Sequence, residues 1–193
     1  KIKSKKEIPL DSPYKLKIEL KSSYSEKIFN IPSNCIIFDA YNRKNIKSFT
    51  GGENCEEMDF NFSGLSGEII IPSNCKKFEA IYSKNLDRFT GGENCEHMDF
   101  YSTNLSGEII IPSKCKTFKA EYCKNLTSFI GGENCEEMDF SDSGLSGEII
   151  IPSKCKKFDV SGCKNLTSFT GGENCEYMNV NYSGLSGEVK IPS

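Results

Sequence analysis

Cys35, Cys55, Cys75, Cys95, Cys115, Cys135, Cys155 and Cys175 recur every twenty residues, so the chain repeats itself on a short, fixed period. A chain built this way buries its apolar residues between successive units, and the units stack into a solenoid with one continuous interior. Four longer units of forty residues begin at Ile31, Ile71, Ile111 and Ile151. Each reads close to IPSKCKKFDVSGCKNLTSFTGGENCEYMNVNYSGLSGEVK, and each is two related coils of twenty.

Counting each coil from its ladder cysteine as position one, position four reads Phe38, Met58, Phe78, Met98, Phe118, Met138, Phe158 and Met178. Position six reads Ala40, Phe60, Ala80, Phe100, Ala120, Phe140, Val160 and Val180. Positions one, four and six are apolar while three, five and seven are mostly polar, which over four to six is the alternation of a short half-buried strand. Large and small residues alternate at position six, so bulk in one layer fills the space left by the next. The second half of each coil turns the chain around. Asn45, Asn85, Asn125 and Asn165 precede an Ile or Leu, GGEN follows, and in the other coil type SGLSGE carries Gly64, Gly144 and Gly184 where the second unit has Asn104. Glycine and asparagine best accept a left-handed backbone, so a positive φ is expected there. The proline of each IPS predicts an extended segment. No stretch has a 3.6-residue apolar period, so few or no helices are expected.

IPSKCKKFDVSGCKNLTSF resembles the twenty-residue Leu-Pro class of leucine-rich repeats found in secreted bacterial effectors, with Cys and Phe in place of leucines. MDFSDSGLSGEI is similar to the Leu-Ser-Gly-Glu-Ile variant of plant-type repeats. The likeness runs from Cys35 to Ser193 and more weakly over Lys15 to Asn34, where Ile18, Leu20 and Ile31-Pro-Ser fit a degenerate opening coil. It implies a right-handed repeat solenoid with a parallel strand ladder on the concave side, extended segments on the convex side and binding mostly by the concave face. The chain departs from the family in lacking asparagine at position nine and in being rich in cysteine and poor in leucine, which leaves a flatter β-solenoid open. Residues 1–34 are expected to form an N-terminal lead or cap with the degenerate coil, irregular up to Tyr14, and residues 35–193 eight coils. The chain stops in mid-register at Ile191-Pro-Ser193 without a polar cap, so further coils are expected beyond it.

A net charge of -3 argues against nucleic acid, which needs a one-signed basic face. No apolar run approaches the roughly 20 residues that span a bilayer, so membrane insertion is not expected. No Cys-x-x-Cys pair occurs and His97 is the only histidine, so zinc spacing fails and neither metal nor cofactor is expected. Stacked strands about 4.8 Å apart would bring the ladder thiols into disulfide range, yet inward cysteines also act as small core hydrophobes, which is the expected role. Cys123 and Cys163, both at position nine, lie two coils apart and are expected to pack. Position five reads Asp39, Asp59, Glu79, Asp99, Lys119, Asp139, Asp159 and Asn179, a mostly acidic row. Like charges so stacked should raise some pKa values, with Lys76, Lys77, Lys116, Lys156 and Lys157 relieving the repulsion. An open row of carboxylates encloses no substrate, so catalysis is not expected.

The units are near copies, so the positions that vary stand out. Positions seven and eight read Tyr41-Asn42, Asn61-Phe62, Ile81-Tyr82, Tyr101-Ser102, Glu121-Tyr122, Ser141-Asp142, Ser161-Gly162 and Asn181-Tyr182. Tyrosine among small polar neighbours is the chemistry of protein-binding surfaces. The expected function is non-catalytic recognition of a protein partner by the exposed strand face. Its candidate residues are Tyr41, Phe62, Tyr82, His97, Tyr101, Tyr122, Tyr177 and Tyr182, with Asp59, Asp99 and Asp139. A glycan ligand stays open, as do end-to-end self-association as an adhesive module and a role as the recognition part of a secreted effector. Asn-x-Ser/Thr sequons at Asn61, Asn104, Asn125, Asn165 and Asn181 give weak support to a secreted or cell-surface location.

Overall fold

The computed structural model describes residues 16–21 and 23–185. The lead expected up to Tyr14 and the register at Ile191-Pro-Ser193 lie outside them. The fold is a parallel β-solenoid with coils of twenty residues and no helix among the described residues. Its strands, β1 to β17 in chain order, alternate between two faces. One face is a continuous nine-stranded parallel sheet: β1 (Leu16–Glu19), β3 (Cys35–Asp39), β5 (Glu57–Asp59), β7 (Lys77–Glu79), β9 (His97–Asp99), β11 (Thr117–Lys119), β13 (Glu137–Asp139), β15 (Lys157–Asp159) and β17 (Tyr177–Asn179). The strand therefore sits at positions three to five, one place earlier than the apolar alternation alone predicts.

The second half of each coil is more than a turn. It carries β2 (Ile28–Ile31), β4 (Ser48–Gly51), β6 (Ser66–Ile71), β8 (Asn85–Gly91), β10 (Ser106–Ile111), β12 (Asn125–Gly131), β14 (Ser146–Ile151) and β16 (Asn165–Gly171), joined only in pairs: β2 with β4, β6 with β8, β10 with β12, β14 with β16. Each IPS among the described residues ends such a strand on a buried Ile and then turns: in the second unit the Cys75 N–H donates to the Pro72 carbonyl, 3.0 Å away. In the other coil type Gly92 takes the proline's place, with the Cys95 N–H on its carbonyl at 2.8 Å.

The interior is one apolar column. Coils with Phe at position four carry Ala or Val at six, and coils with Met at four carry Phe at six in all but the last, so the rings zigzag upward. Phe38, Phe60, Phe78, Phe100, Phe118 and Phe140 follow one another with centroids 5.4 to 5.8 Å apart. Seven of the eight ladder cysteines are fully buried, Cys175 is partly buried, and all ten thiols are free. Several donate to the position-three carbonyl of their own coil, as Cys115 Sγ does to the Thr117 oxygen at 3.2 Å. The neighbouring Cys95 and Cys135 thiols, together with desolvation, hold Cys75 and Cys115 far above the ordinary thiol range, so both stay protonated.

In alternate coils the position-nine side chain donates to the position-six carbonyl one coil below. Arg43 Nε donates to Leu20 O at 2.8 Å, Ser83 Oγ to Phe60 O at 2.9 Å, Cys123 Sγ to Phe100 O at 3.3 Å and Cys163 Sγ to Phe140 O at 3.1 Å. The two cysteines outside the ladder thus act as hydrogen-bond donors as well as packing groups. Asparagines bridge coils elsewhere, just before the ladder cysteine: Asn54, Asn74, Asn94, Asn134 and Asn174 each donate to a carbonyl of the preceding coil at 2.6 to 2.8 Å.

The positive φ expected at Gly64, Gly144, Gly184 and Asn104 is not found. At Gly64, Gly144 and Gly184 glycine is required by space, since a Cβ on Gly64 would lie 2.0 Å from the Lys44 carbonyl oxygen. Asn104 fits because its N–H donates to Leu86 O at 3.1 Å, whereas Gly64 and Gly144 bond the carbonyls of Arg43 and Cys123.

Candidate functional site

Outside glycine, left-handed backbone falls at position eight, in every coil from the first cysteine on: Asn42, Phe62, Tyr82, Ser102, Tyr122, Asp142 and Tyr182 have φ of 55 to 59°, and Gly162 at the same position has 74°. Position five explains the bend. Asp39, Asp59, Asp99, Asp139 and Asp159 each accept the backbone N–H of position seven at 2.8 to 2.9 Å, turning the chain off the strand. Where position five is Glu79, the Ile81 N–H bonds Asn61 Oδ1 of the coil below, at 2.7 Å. The acidic row is therefore first a row of backbone caps.

Positions seven and eight beyond the bend form an aromatic ridge. Tyr41, Phe62, Tyr82, Tyr101 and Tyr122 are in unbroken ring contact, with successive centroids 5.6, 5.0, 5.1 and 5.3 Å apart. Phe62 and Tyr82 are near parallel at 30°, and the other three pairs meet edge to face at 60 to 70°. Apart from the half-buried Tyr101, these side chains are 37 to 50% exposed. Lys84 and Lys124 lie over the Tyr82 and Tyr122 rings at 6.0 and 5.5 Å. A hydrogen bond to Tyr82 pushes the Tyr101 phenol up to about 12. The ridge stops after Tyr122, where the next two coils carry Ser141-Asp142 and Ser161-Gly162. Tyr182 is exposed three coils beyond Tyr122, while His97 and Tyr177 are exposed on the strands at position three, away from the bend.

Asp59, Asp99 and Asp139 are half-buried beside the ridge, and their carboxyls are raised, by burial first and by neighbouring carboxylates less. Burial, not the like-charge repulsion expected from the sequence, is thus the leading cause. Glu121, at position seven beside Tyr122, is pushed up to about 7 by burial, and one of its oxygens is buried without a hydrogen-bond partner. Three of the lysines expected to relieve the row turn elsewhere: Lys76, Lys116 and Lys156 pair with Glu56, Glu96 and Glu136 at 2.5 to 2.8 Å. Lys77 does reach Glu79, at 2.8 Å. Among the described residues no three His, Cys, Asp or Glu side chains converge on a point that would hold a metal ion.

Comparisons with known proteins add no relative. No family model, curated protein or solved structure matches the chain. The site stands on its own geometry.

The opposite face carries a surface that the sequence pattern did not single out. Ile70, Ile110 and Ile150 are 67 to 73% exposed, and each pairs with Thr90, Ile130 or Thr170 in the neighbouring strand. The signal lies in the three consecutive isoleucines of SGEIII: in a strand the outer two point inward, so the middle one faces out. Of the sequons, Asn61 is buried with its amide engaged by Glu79 and Ile81, whereas Asn125, Asn165 and Asn181 are exposed.

Proposed function

We propose that the chain is a non-catalytic, leucine-rich-repeat-like recognition domain that binds a protein along the ridge Tyr41–Phe62–Tyr82–Tyr101–Tyr122. The observation that carries this reading is the conformation of position eight. Glycine, asparagine and aspartate accept a left-handed φ readily, as Gly162, Asn42 and Asp142 illustrate, while a bulky aromatic there is strained by roughly 1 kcal/mol or more. Phe62, Tyr82, Tyr122 and Tyr182 accept that strain for side chains that stay partly or wholly in solvent. Their placement on a rigid scaffold preorganises a contact surface, which lowers the entropy lost on binding. A secreted or surface-displayed setting, including the recognition part of an effector, fits the exposed sequons.

The test is the triple variant Phe62→Asn, Tyr82→Asn, Tyr122→Asn, which places at each site the residue that position eight already holds at Asn42. It should keep the wild-type circular dichroism and lose the peptides that the wild-type chain selects from a displayed random library. Recovery of the same peptides with both proteins would overturn the reading.

A second reading, self-association as an adhesive module, is favoured by the exposed Ile70, Ile110, Ile130 and Ile150. Assembly seen by light scattering, surviving in the ridge variant and abolished by Ile110→Lys with Ile150→Lys, would support it. A concentration-independent monomer would remove it.

A further inference from the structure

We propose that the occupant of the ridge is a basic, proline-rich segment in the polyproline II conformation, lying along the solenoid axis across the coils. This deepens the recognition reading above and rests on it. Three observations lead to it: the period of the ridge, the orientation of its rings and the charge beside it.

The ridge advances one coil per ring, about 4.8 Å, so two coils advance about 9.6 Å. A polyproline II helix rises about 9.3 Å in one three-residue turn, so a side chain at every third residue meets a ring again two coils on. A β-strand repeats its side chains every 6.6 to 6.8 Å or so and falls out of step within one repeat. The five-ring ridge covers about four coil spacings, or two turns of such a helix.

Three of the four ring contacts are edge to face, so the surface is ribbed along its length. A flat sugar platform would need the rings coplanar. Pyrrolidine rings fit between ribs, and a polyproline II backbone has carbonyls free to accept from tyrosine hydroxyls.

One flank of the ridge carries Asp39, Asp59, Glu79, Asp99 and Asp139 at position five together with Glu121, against Lys77, which pairs with Glu79 at 2.8 Å, and Lys119, which pairs with Glu137 at 3.3 Å. Lys84 and Lys124 sit over the rings themselves. Arginines at every third residue of the ligand therefore reach the carboxylate flank while its prolines lie on the rings.

The test is fluorescence anisotropy with the full chain and labelled (Pro-Pro-Arg)3, with (Gly-Ser-Arg)3 as a probe of equal charge and no helix. Expected is at least tenfold tighter binding of the proline peptide. That advantage should vanish in the Phe62→Asn, Tyr82→Asn, Tyr122→Asn variant and shrink severalfold in Asp99→Asn with Asp139→Asn, which keeps the backbone caps as Asn179 does towards the Asn181 N–H. Equal binding of the two peptides overturns the inference, because charge alone would then explain it. If neither binds while the displayed library still yields ridge-dependent peptides of another kind, the inference falls and the recognition reading stands. If no ridge-dependent peptide is found, or cellohexaose binds the ridge instead, both fall.

Discussion

Gly67 and Gly91 belong to the same strand pair and share a left-handed backbone, with φ of 68° and 80°, but differ in the space around them. A Cβ on Gly67 meets nothing within 4 Å, whereas one on Gly91 lies 2.3 Å from the Ile71 carbonyl oxygen. Alanine at either site carries a left-handed penalty of about 1 to 2 kcal/mol, partly offset by about 0.4 to 1 kcal/mol from the less flexible unfolded chain. Gly67→Ala should therefore cost about 1 kcal/mol. At Gly91 the two strands must also part by about an ångström, loosening the Gly92 N–H bond to Ile71 O now at 2.9 Å. Overpacking adds a further cost of about 1 to 3 kcal/mol, for a total near 4. In thermal melts followed by circular dichroism, a chain of this size should lose about 2 to 4 °C with Gly67→Ala and roughly 10 °C with Gly91→Ala. Equal losses would refute the claim that the close approach of Ile71, rather than φ alone, requires glycine there.

Cys123→Ser should shift the melt by less than about 1 kcal/mol, because a hydroxyl already serves as the same donor at Ser83, while Ser83→Ala should cost about 1 kcal/mol by removing the hydroxyl's bonds to the Phe60 carbonyl, which keeps the Ser63 N–H, and to Ser63 Oγ. Tyr122→Asn relieves backbone strain as it removes a half-exposed ring, so it should cost well under the roughly 3 to 5 kcal/mol expected of Phe140→Ala; equal costs would make the ridge structural. Burial raises the Glu121 carboxyl above its unfolded value, so its contribution to stability is fully present below about 4.5 and is lost as the pH rises through about 7. Wild type should thus gain melting temperature relative to Glu121→Gln as the pH falls across that window, and a constant difference would contradict a carboxyl raised by burial.

The solenoid was legible because each coil states the same constraint again: an inward residue at positions one, four and six recurs until no other arrangement satisfies it. The ring zigzag followed from the same columns, since Phe at one position and Ala at its neighbour exchange places from coil to coil. Other features depend on distance across coils and left little trace in one coil alone. Gly64 looked like a φ requirement because glycine answers both to conformation and to crowding, and only the nearness of the Lys44 carbonyl separates them. The strands of the second face were hidden by isoleucine at an outward place, Ile70, where a polar residue would have completed the alternation. The aspartates read as an exposed charged row because their partner, the N–H two residues on, is invisible in composition. The tyrosines of the ridge were visible through variation among near copies, but their unbroken contact was not, since it needs position seven in two coils and position eight in the other three.

The unequal joining of the two faces has a mechanical consequence. One side of the stack is a continuous rail of nine hydrogen-bonded strands; the other is interrupted after every second strand. A lateral load would open the interrupted side at its joints while the rail stays shut, so the rod should bend in one preferred direction, in hinged segments of forty residues. The ridge lies just beyond the strands of the unbroken rail, where the spacing of its rings would change least as the rod flexes.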